Sequence, residues 1–261
     1  MIGKTIRLRR IFDAKSGKTV IVPMDHGISL GPVKGIADIR ATIEKVAEGG
    51  ASAVVIHKGI VPYAGDSIGR KLGLIVHISA STSLSADSDY KVLVARADDA
   101  AVLGADAVSI HCNLASEMED RMIADFGTVS DRCRELGMPL LAMCYPRGKK
   151  AKSQFDVDAV KQCARVAAEL GADVVKTNYT GSIDSFKEVV RGTPIPVVIA
   201  GGPKMDNDSA VLQMVHEAME AGARGVSIGR NVFQHDDVAF ITRAISRVVF
   251  EGMSPQEAYR R

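Results

Sequence analysis

Lys176 closes the run Ala172-Asp173-Val174-Val175, which reads as a strand buried in a parallel sheet. Lysine is among the side chains least often buried, so a lysine in that place needs a chemical reason. Burial disfavours the ammonium, and a neutral amine near pH 7 can attack a carbonyl carbon and form a Schiff base. Two plainer readings stand beside it: a lysine snorkelling to the mouth of a barrel, or one that binds phosphate. Lys58 competes for the role, because it ends the second apolar run in the same way. Val174 and Lys176 share a parity, so one strand register turns both inward or both outward.

Tyr145, in Tyr145-Pro146-Arg147-Gly148, offers a phenol that passes a proton to or from a substrate hydroxyl, or else packs as an aromatic with its hydroxyl at the rim. Asp25 follows Val22-Pro23-Met24 and reads as a base, as a partner for a lysine, or as a cap on the next turn. Gly201-Gly202 lets backbone N–H groups approach an anion, and Gly229-Arg230 adds donors and a guanidinium. Asn231-Val232-Phe233 can start a short helix aimed at that anion. His26, His57, His77 and His111 also follow apolar runs and could bind zinc, although no two are spaced His-x-His or His-x-x-x-His. For His57 and His111 a hydrogen-bonded place in the core or rim is the plainer reading. Met143, Met214 and Met219 read as packing.

These groups need elements to hold them. Gly50-Ala51-Ser52-Ala53-Val54, Gly104-Ala105-Asp106-Ala107-Val108, Gly171-Ala172-Asp173-Val174-Val175 and Gly222-Ala223-Arg224-Gly225-Val226 repeat one pattern. Each glycine fits the left-handed position after a helix, and each apolar run that follows reads as a strand buried on both faces. Between them lie the strands Thr19–Met24, Leu74–Ile78, Pro139–Cys144 and Ile195–Ala200. Helical patterns cover Ile36–Glu48, Lys91–Leu103, Glu117–Leu136, Asp156–Leu170, Ser182–Val190, Asp208–Glu220 and Val238–Phe250, while Gly59–Gly73 reads as irregular. Eight alternating strands and helices predict a (β/α)8 TIM barrel, one domain over residues 1–261 with a short N-terminal extension. A doubly wound open sheet would want G-x-G-x-x-G after the first strand, and Asp25-His26-Gly27-Ile28-Ser29 does not supply it. Barrel enzymes carry their chemistry at the C-terminal strand ends, where the candidates above fall.

Composition agrees with a globular chain. Of 261 residues, 46% are hydrophobic and 25% charged, which excludes disorder. The net charge of +2 gives no reason to expect nucleic acid or an anionic membrane as partner. No apolar run approaches the roughly 20 residues of a membrane span, and Met1–Arg10 lacks the apolar core of a signal peptide. Cys112, Cys133, Cys144 and Cys163 form no C-x-x-C pair and read as reduced, cytoplasmic thiols.

The stretches Val22-Pro23-Met24-Asp25-His26-Gly27, Tyr145-Pro146-Arg147-Gly148, Val175-Lys176-Thr177, Ala200-Gly201-Gly202-Pro203-Lys204 and Gly229-Arg230-Asn231-Val232-Phe233-Gln234 resemble the archaeal-type class I aldolase family, in order and over about Lys4 to Ala258. The resemblance implies a Schiff-base transaldolase that joins a fragment of a deoxyketohexose phosphate to L-aspartate semialdehyde, an entry to aromatic amino-acid biosynthesis. Similar members cleave fructose bisphosphate, or join aspartate semialdehyde to dihydroxyacetone phosphate on an aminohydroxybenzoate route. Carried over by residue, Lys176 forms the imine, Tyr145 donates a proton and Asp25 accepts one. Asp25, His26, Gly27, Ile28 and Ser29, with Tyr145, Pro146, Arg147, Gly201, Gly202, Gly229 and Arg230, would hold the phosphorylated sugar. The resemblance implies no cofactor and no metal, a phosphorylated sugar and a small aldehyde as partners, and a homo-oligomer. The fructose-bisphosphate members tend to carry a tryptophan just before the tyrosine. Met143 and Cys144 stand there, and the chain has no tryptophan, which favours the transaldolase. Asn178 replaces an expected serine.

Overall fold

The computed structural model describes residues 2–69 and 72–260. Eight parallel strands close into a barrel: β1 (Thr19–Pro23), β2 (Ala53–His57), β3 (Gly73–His77), β4 (Ala107–Leu114), β5 (Leu140–Pro146), β6 (Val174–Asn178), β7 (Val197–Ala200) and β8 (Gly225–Ser227). Each pairs with the next in chain order, and β8 returns to β1 through Thr19↔Gly225 and Ile21↔Ser227. The outer layer holds α1 (Ile39–Glu48), α2 (Val61–Ile68), α3 (Ala97–Val102), α4 (Glu119–Glu135), α5 (Val157–Glu169), α6 (Ile183–Arg191), α7 (Asp208–Glu220) and α8 (Val238–Ser246). This is the expected (β/α)8 architecture.

The fourfold repeat has a physical origin. Gly50, Gly104, Gly171 and Gly222 all have positive φ, which lets the chain leave each helix and enter the next strand. In three copies the third residue then accepts a hydrogen bond from the first turn of a neighbouring strand. Val20 N donates to Ser52 Oγ, Leu74 N to Asp106 Oδ2 and Leu140 N to Asp173 Oδ2, at 2.9–3.1 Å. The same carboxylates bind the N-terminal helix Ile2–Ile11, through Lys4–Asp173 at 2.7 Å and Arg10–Asp106 at 2.9 Å. That helix sets Ile11, Leu8 and Phe12 against the inward-facing Ile21, Ala53, Ile75, Leu141 and Val174. The N-terminal helix thus packs over the N-terminal mouth of the barrel, and the polar candidates lie at the opposite mouth.

Several elements differ from the sequence reading. The connection Gly59–Gly73 is not irregular: Pro62 occupies the first turn of α2, and Gly69 at φ +59° ends it; Arg70 and Lys71 lie outside the described residues. The helix expected over Lys91–Leu103 shrinks to α3, because Val92–Leu93 pairs antiparallel with Ser79–Ala80 and forms a hairpin over the end of β3. Helix α1 starts at Ile39 and not Ile36, since Asp38 caps it by accepting from Ala41 N. The last helix loosens into a π-turn over Arg247–Glu251, closed by Gly252 at φ +70°. Lys176 is the third of five residues of β6 and does not end it, and β5 runs on through Tyr145 and Pro146.

Candidate active site

Alternation along each strand decides what reaches the open mouth. Val174 faces the barrel interior, whereas Val175 packs outward against the helices. Lys176 therefore points inward, and it is only 7% exposed. The same parity turns His57, His77, His111 and Tyr145 inward from β2, β3, β4 and β5. Register then sets them side by side: His57 opposite His77, His77 opposite Ser109, His111 opposite Met143, and Met143 opposite Lys176. Together with Asp25, His26, Ile28, Ser29, Arg147, Gly201, Gly202, Gly229 and Arg230 they line a single cavity at the C-terminal mouth.

Two expected site residues lie elsewhere. Gly27 lines an adjoining apolar cavity with Met24, Ile36 and Ile39, which shares Asp25, Ile28 and His57 with the central one. Pro146 is buried in β5 in register with Leu114. Lys58 borders that adjoining cavity and pairs with Asp99 at 3.7 Å, so it does not compete with Lys176 for the central one. Asp25 does not cap the next turn; it sits between imidazoles, with its oxygens 3.4 Å from His26 Nδ1 and 3.8 Å from His77 Nε2. His77 Nδ1 meets Ser109 Oγ at 2.8 Å, His57 Nδ1 meets the carbonyl of His77 at 3.0 Å, and His111 Nε2 meets Asn113 Oδ1 at 2.8 Å. Among the described residues no group of three or more His, Cys, Asp and Glu side chains is arranged to hold a metal ion.

The electrostatics separate the three central groups. Burial lowers the pKa of Lys176 from 10.5 to about 8; Asp25 opposes this, while Arg147 and Arg230 reinforce it. Among the described residues its ammonium makes no hydrogen bond or ion pair that would hold the proton. Burial alone would push the Asp25 carboxyl up, but the imidazoles of His77 and His26 and the Lys176 ammonium hold it well below the usual carboxylate range. Burial pulls His77 down to about 4 and lowers His26 and His57 as well, so near neutral pH the charge left beside Asp25 is that of Lys176. Burial also keeps Tyr145 a phenol, raising its pKa although Arg147, stacked 4.2 Å from the ring centroid, opposes the shift. The mouth thus presents an easily deprotonated amine, an ionised carboxylate and a protonated phenol.

The glycines at the ends of β7 and β8 approach their neighbours too closely for a side chain. A Cβ on Gly201 would lie 2.6 Å from Ile228 Cγ2, and one on Gly229 would lie 2.7 Å from the carbonyl of Pro23 and 2.8 Å from His26 Cε1. Gly202 adopts φ +66°. Asn231, buried in the short helix Arg230–Phe233, fixes this loop: its amide donates to Gly201 O at 2.8 Å and Pro203 O at 3.0 Å, and its oxygen accepts from Met205 N at 2.7 Å. These glycines and the Arg230 guanidinium line the same side of the cavity. The sequence reading missed Lys91, Ser79, Ser81 and Ser227, which also line the cavity. Parity would have found Ser227, two residues after the inward Gly225 position, whereas Lys91 arrives by the hairpin.

Comparison with known proteins gives a consistent picture. The family description DeoC/LacD family aldolase matches residues 19–235. A Halobacterium salinarum protein named 2-amino-3,7-dideoxy-D-threo-hept-6-ulosonate synthase is 44% identical over 259 residues, covering 99% of this chain and 96% of that one. A Streptomyces griseus protein named 2-amino-4,5-dihydroxy-6-oxo-7-(phosphonooxy)heptanoate synthase is 38% identical over 247 residues, covering 95% of this chain and 90% of that one. Among solved structures, an archaeal fructose-1,6-bisphosphate aldolase whose catalytic lysine is covalently bound to the carbinolamine intermediate is 31% identical, with a TM-score of 0.88 over 94% of this chain and 99% of that one.

Proposed function

The chain belongs to the DeoC/LacD aldolase family and is a class I, lysine Schiff-base enzyme, and from that premise we propose that it acts as a transaldolase making 2-amino-3,7-dideoxy-D-threo-hept-6-ulosonate, with Lys176 as the imine-forming residue. The observation that carries this reading is Lys176 buried inside the barrel mouth on β6, its affinity for a proton reduced by burial to a pKa of about 8, within the field of the Asp25 carboxylate.

The neutral Lys176 amine attacks the ketone of a deoxyketohexose phosphate, and loss of water leaves an iminium. The iminium is an electron sink, so the bond between the α and β carbons breaks as Asp25 accepts the proton of the β-hydroxyl, and the phosphorylated aldehyde fragment departs. The enamine left on the lysine attacks the carbonyl of L-aspartate semialdehyde, the Tyr145 phenol protonates the new alkoxide, and water releases the product. Asp25, held ionised, and Tyr145, held protonated, suit these two tasks. His26, Ile28, Ser29, Arg147, Gly201, Gly202, Gly229 and Arg230 seat the phosphorylated sugar; Gly27 and Pro146 support the turns that carry them. None of these steps requires a metal or an organic cofactor.

We read residues 1–261 as one barrel domain working in the cytoplasm as a homo-oligomer; its buried free thiols suit a reducing compartment. Among the described residues no helix is long and apolar enough to cross a membrane.

Borohydride reduction in the presence of a ketose phosphate tests the imine, and peptide mass analysis locates it. The adduct is expected on Lys176 and absent from Lys176→Met; an adduct elsewhere, or turnover in Lys176→Met, refutes the assignment. Product mass after addition of aspartate semialdehyde tests the substrates. A phosphate-free seven-carbon product supports the ulosonate reading, and a product that keeps its phosphate supports the activity named for the Streptomyces griseus relative.

A further inference from the structure

The cavity carries more positive charge than one phosphate seat needs. Arg230 ends one side of it, after β8. Arg147, after β5, lies within the field of both Arg230 and Lys91. Lys91 lies on the hairpin between β3 and β4, and β3 stands across an eight-stranded barrel from β7, whose end carries Gly201 and Gly202. Arg230, Arg147 and Lys91 therefore line one mouth, with the glycine cradle on one side of the barrel and the Lys91 hairpin on the other.

The Lys91 end is built firmly. Its ammonium donates to Ser81 Oγ and, at 2.7 Å, to the carbonyl of Ser88. Ser81 Oγ in turn donates to that carbonyl at 2.8 Å, and Asn113 Nδ2 ties the loop to β4 by donating to Asp89 O at 2.7 Å. An ammonium has three protons, so one N–H remains for the cavity. Arg147 donates its Nε to Gln154 Oε1 at 3.3 Å and holds its guanidinium carbon 4.2 Å over the Tyr145 ring, which leaves its two terminal nitrogens. This end has none of the closely approached glycines that open backbone amides to the cavity at the other. Side-chain cations of this kind form charge-assisted hydrogen bonds to the two oxygens of a carboxylate.

We infer that Lys91 seats the carboxylate of the acceptor aldehyde, sharing it with Arg147 once the phosphorylated fragment of the donor has left Arg147, Arg230 and the glycine cradle. The inference rests on the proposed function and adds to it a specificity-determining residue: an aldehyde bearing an amino-acid head is preferred over a neutral one because its carboxylate fits between Lys91 and Arg147.

The test uses L-homoserine, the unreactive alcohol counterpart of aspartate semialdehyde, and 3-amino-1-propanol, which lacks only the carboxylate. Calorimetric titration of the whole enzyme is expected to show homoserine binding that Lys91→Met weakens about tenfold to a hundredfold, the range of one charge-assisted hydrogen bond. Lys91→Arg is expected to restore most of it. Binding of 3-amino-1-propanol should be equal in all three proteins, and the ketose phosphate concentration that half-saturates borohydride trapping should not move. Homoserine binding indifferent to Lys91→Met, or no stronger than that of 3-amino-1-propanol, overturns the inference. So does a raised half-saturation in trapping, which would give Lys91 to the donor's phosphate. If wild-type enzyme traps no imine at all, the proposed function falls, and the homoserine comparison still decides the role of Lys91.

Discussion

Replacing Lys176 with methionine should make the protein more stable at neutral pH while abolishing its chemistry. An ordinary lysine holds its proton up to about 10.5, and this one releases it near 8 because burial disfavours the ammonium. At about 1.4 kcal/mol for each tenfold change in proton affinity, keeping the folded lysine charged costs about 3 kcal/mol. The sign follows from proton counting. Between pH 8 and 10.5 the unfolded chain binds more protons at this position than the folded one, so wild-type stability relative to Lys176→Met rises with pH in that window. Below pH 8 both forms of the lysine are protonated and the penalty is constant. Methionine has nearly the same length and no charge, and its new neighbours include Met143 and Val198, in register on β5 and β7. Urea unfolding of both proteins at pH 7 and at pH 10.5 measures the effect. The variant should be more stable by about 3 kcal/mol at pH 7, and the gap should close by pH 10.5. Groups that do not interact with Lys176 cancel in the difference, and of its neighbours Asp25 stays ionised and His77 neutral across this pH range. A variant less stable at pH 7, or a gap that does not change with pH, would refute a lysine held in a desolvating site.

Three further outcomes follow. Asp25 raises the proton affinity of Lys176, so in Asp25→Asn the midpoint of the pH dependence of borohydride trapping should move below about 8, even though turnover is lost; an alkaline shift contradicts the assigned coupling. Asn231→Ala orphans Met205 N and the carbonyls of Gly201 and Pro203, and should raise the half-saturating ketose phosphate concentration about tenfold, in line with the ~1–3 kcal/mol cost of unpaired buried groups, while trapping at saturation persists. Gly73→Ala drives a Cβ to 2.9 Å from the carbonyl of Arg10 and should loosen the packing of the N-terminal helix, lowering stability in urea by about 1–3 kcal/mol.

What the sequence showed and what it hid divide along local and non-local lines. The repeated glycine, followed by a small residue and a β-branched run, reports its own geometry, so the strands and their order were legible. Parity within a strand is equally local, and applied to Val174 it turns Lys176 inward. Relations between strands were not legible. His57 and His77 become neighbours only through the register of β2 with β3, and His77 meets Ser109 only through that of β3 with β4. A search for histidines close in sequence cannot see such pairs, and the rim histidines therefore looked like isolated candidates for zinc. Lys91 was hidden for a related reason. The stretch from Lys91 onward has helical spacing, but Val92–Leu93 finds a partner in Ser79–Ala80, and that pairing carries Lys91 over the mouth. Gly27 and Pro146 stand next to lining residues in their motifs, but Gly27 borders the adjoining cavity and Pro146 lies in the strand pairing, a difference of backbone direction that the motifs do not display.

The surplus of cations at the mouth has a consequence for the proposed reaction that no single residue displays. In the free enzyme Arg147 and Arg230 add to burial in driving the proton from Lys176, which favours attack by the amine. The iminium formed next carries the charge those arginines opposed, so an unchanged field would disfavour it. A seated phosphate supplies negative charge beside Arg147 and Arg230 and cancels much of their effect on the nitrogen, while Asp25, already ionised, continues to attract it. Anion binding thereby shifts the site from one that favours a neutral nitrogen to one that tolerates a cationic one, at the step where the chemistry changes its demand. Burial alone could not do both, because desolvation opposes the ammonium and the iminium alike. The arginines are useful to the chemistry because the substrate can neutralise them.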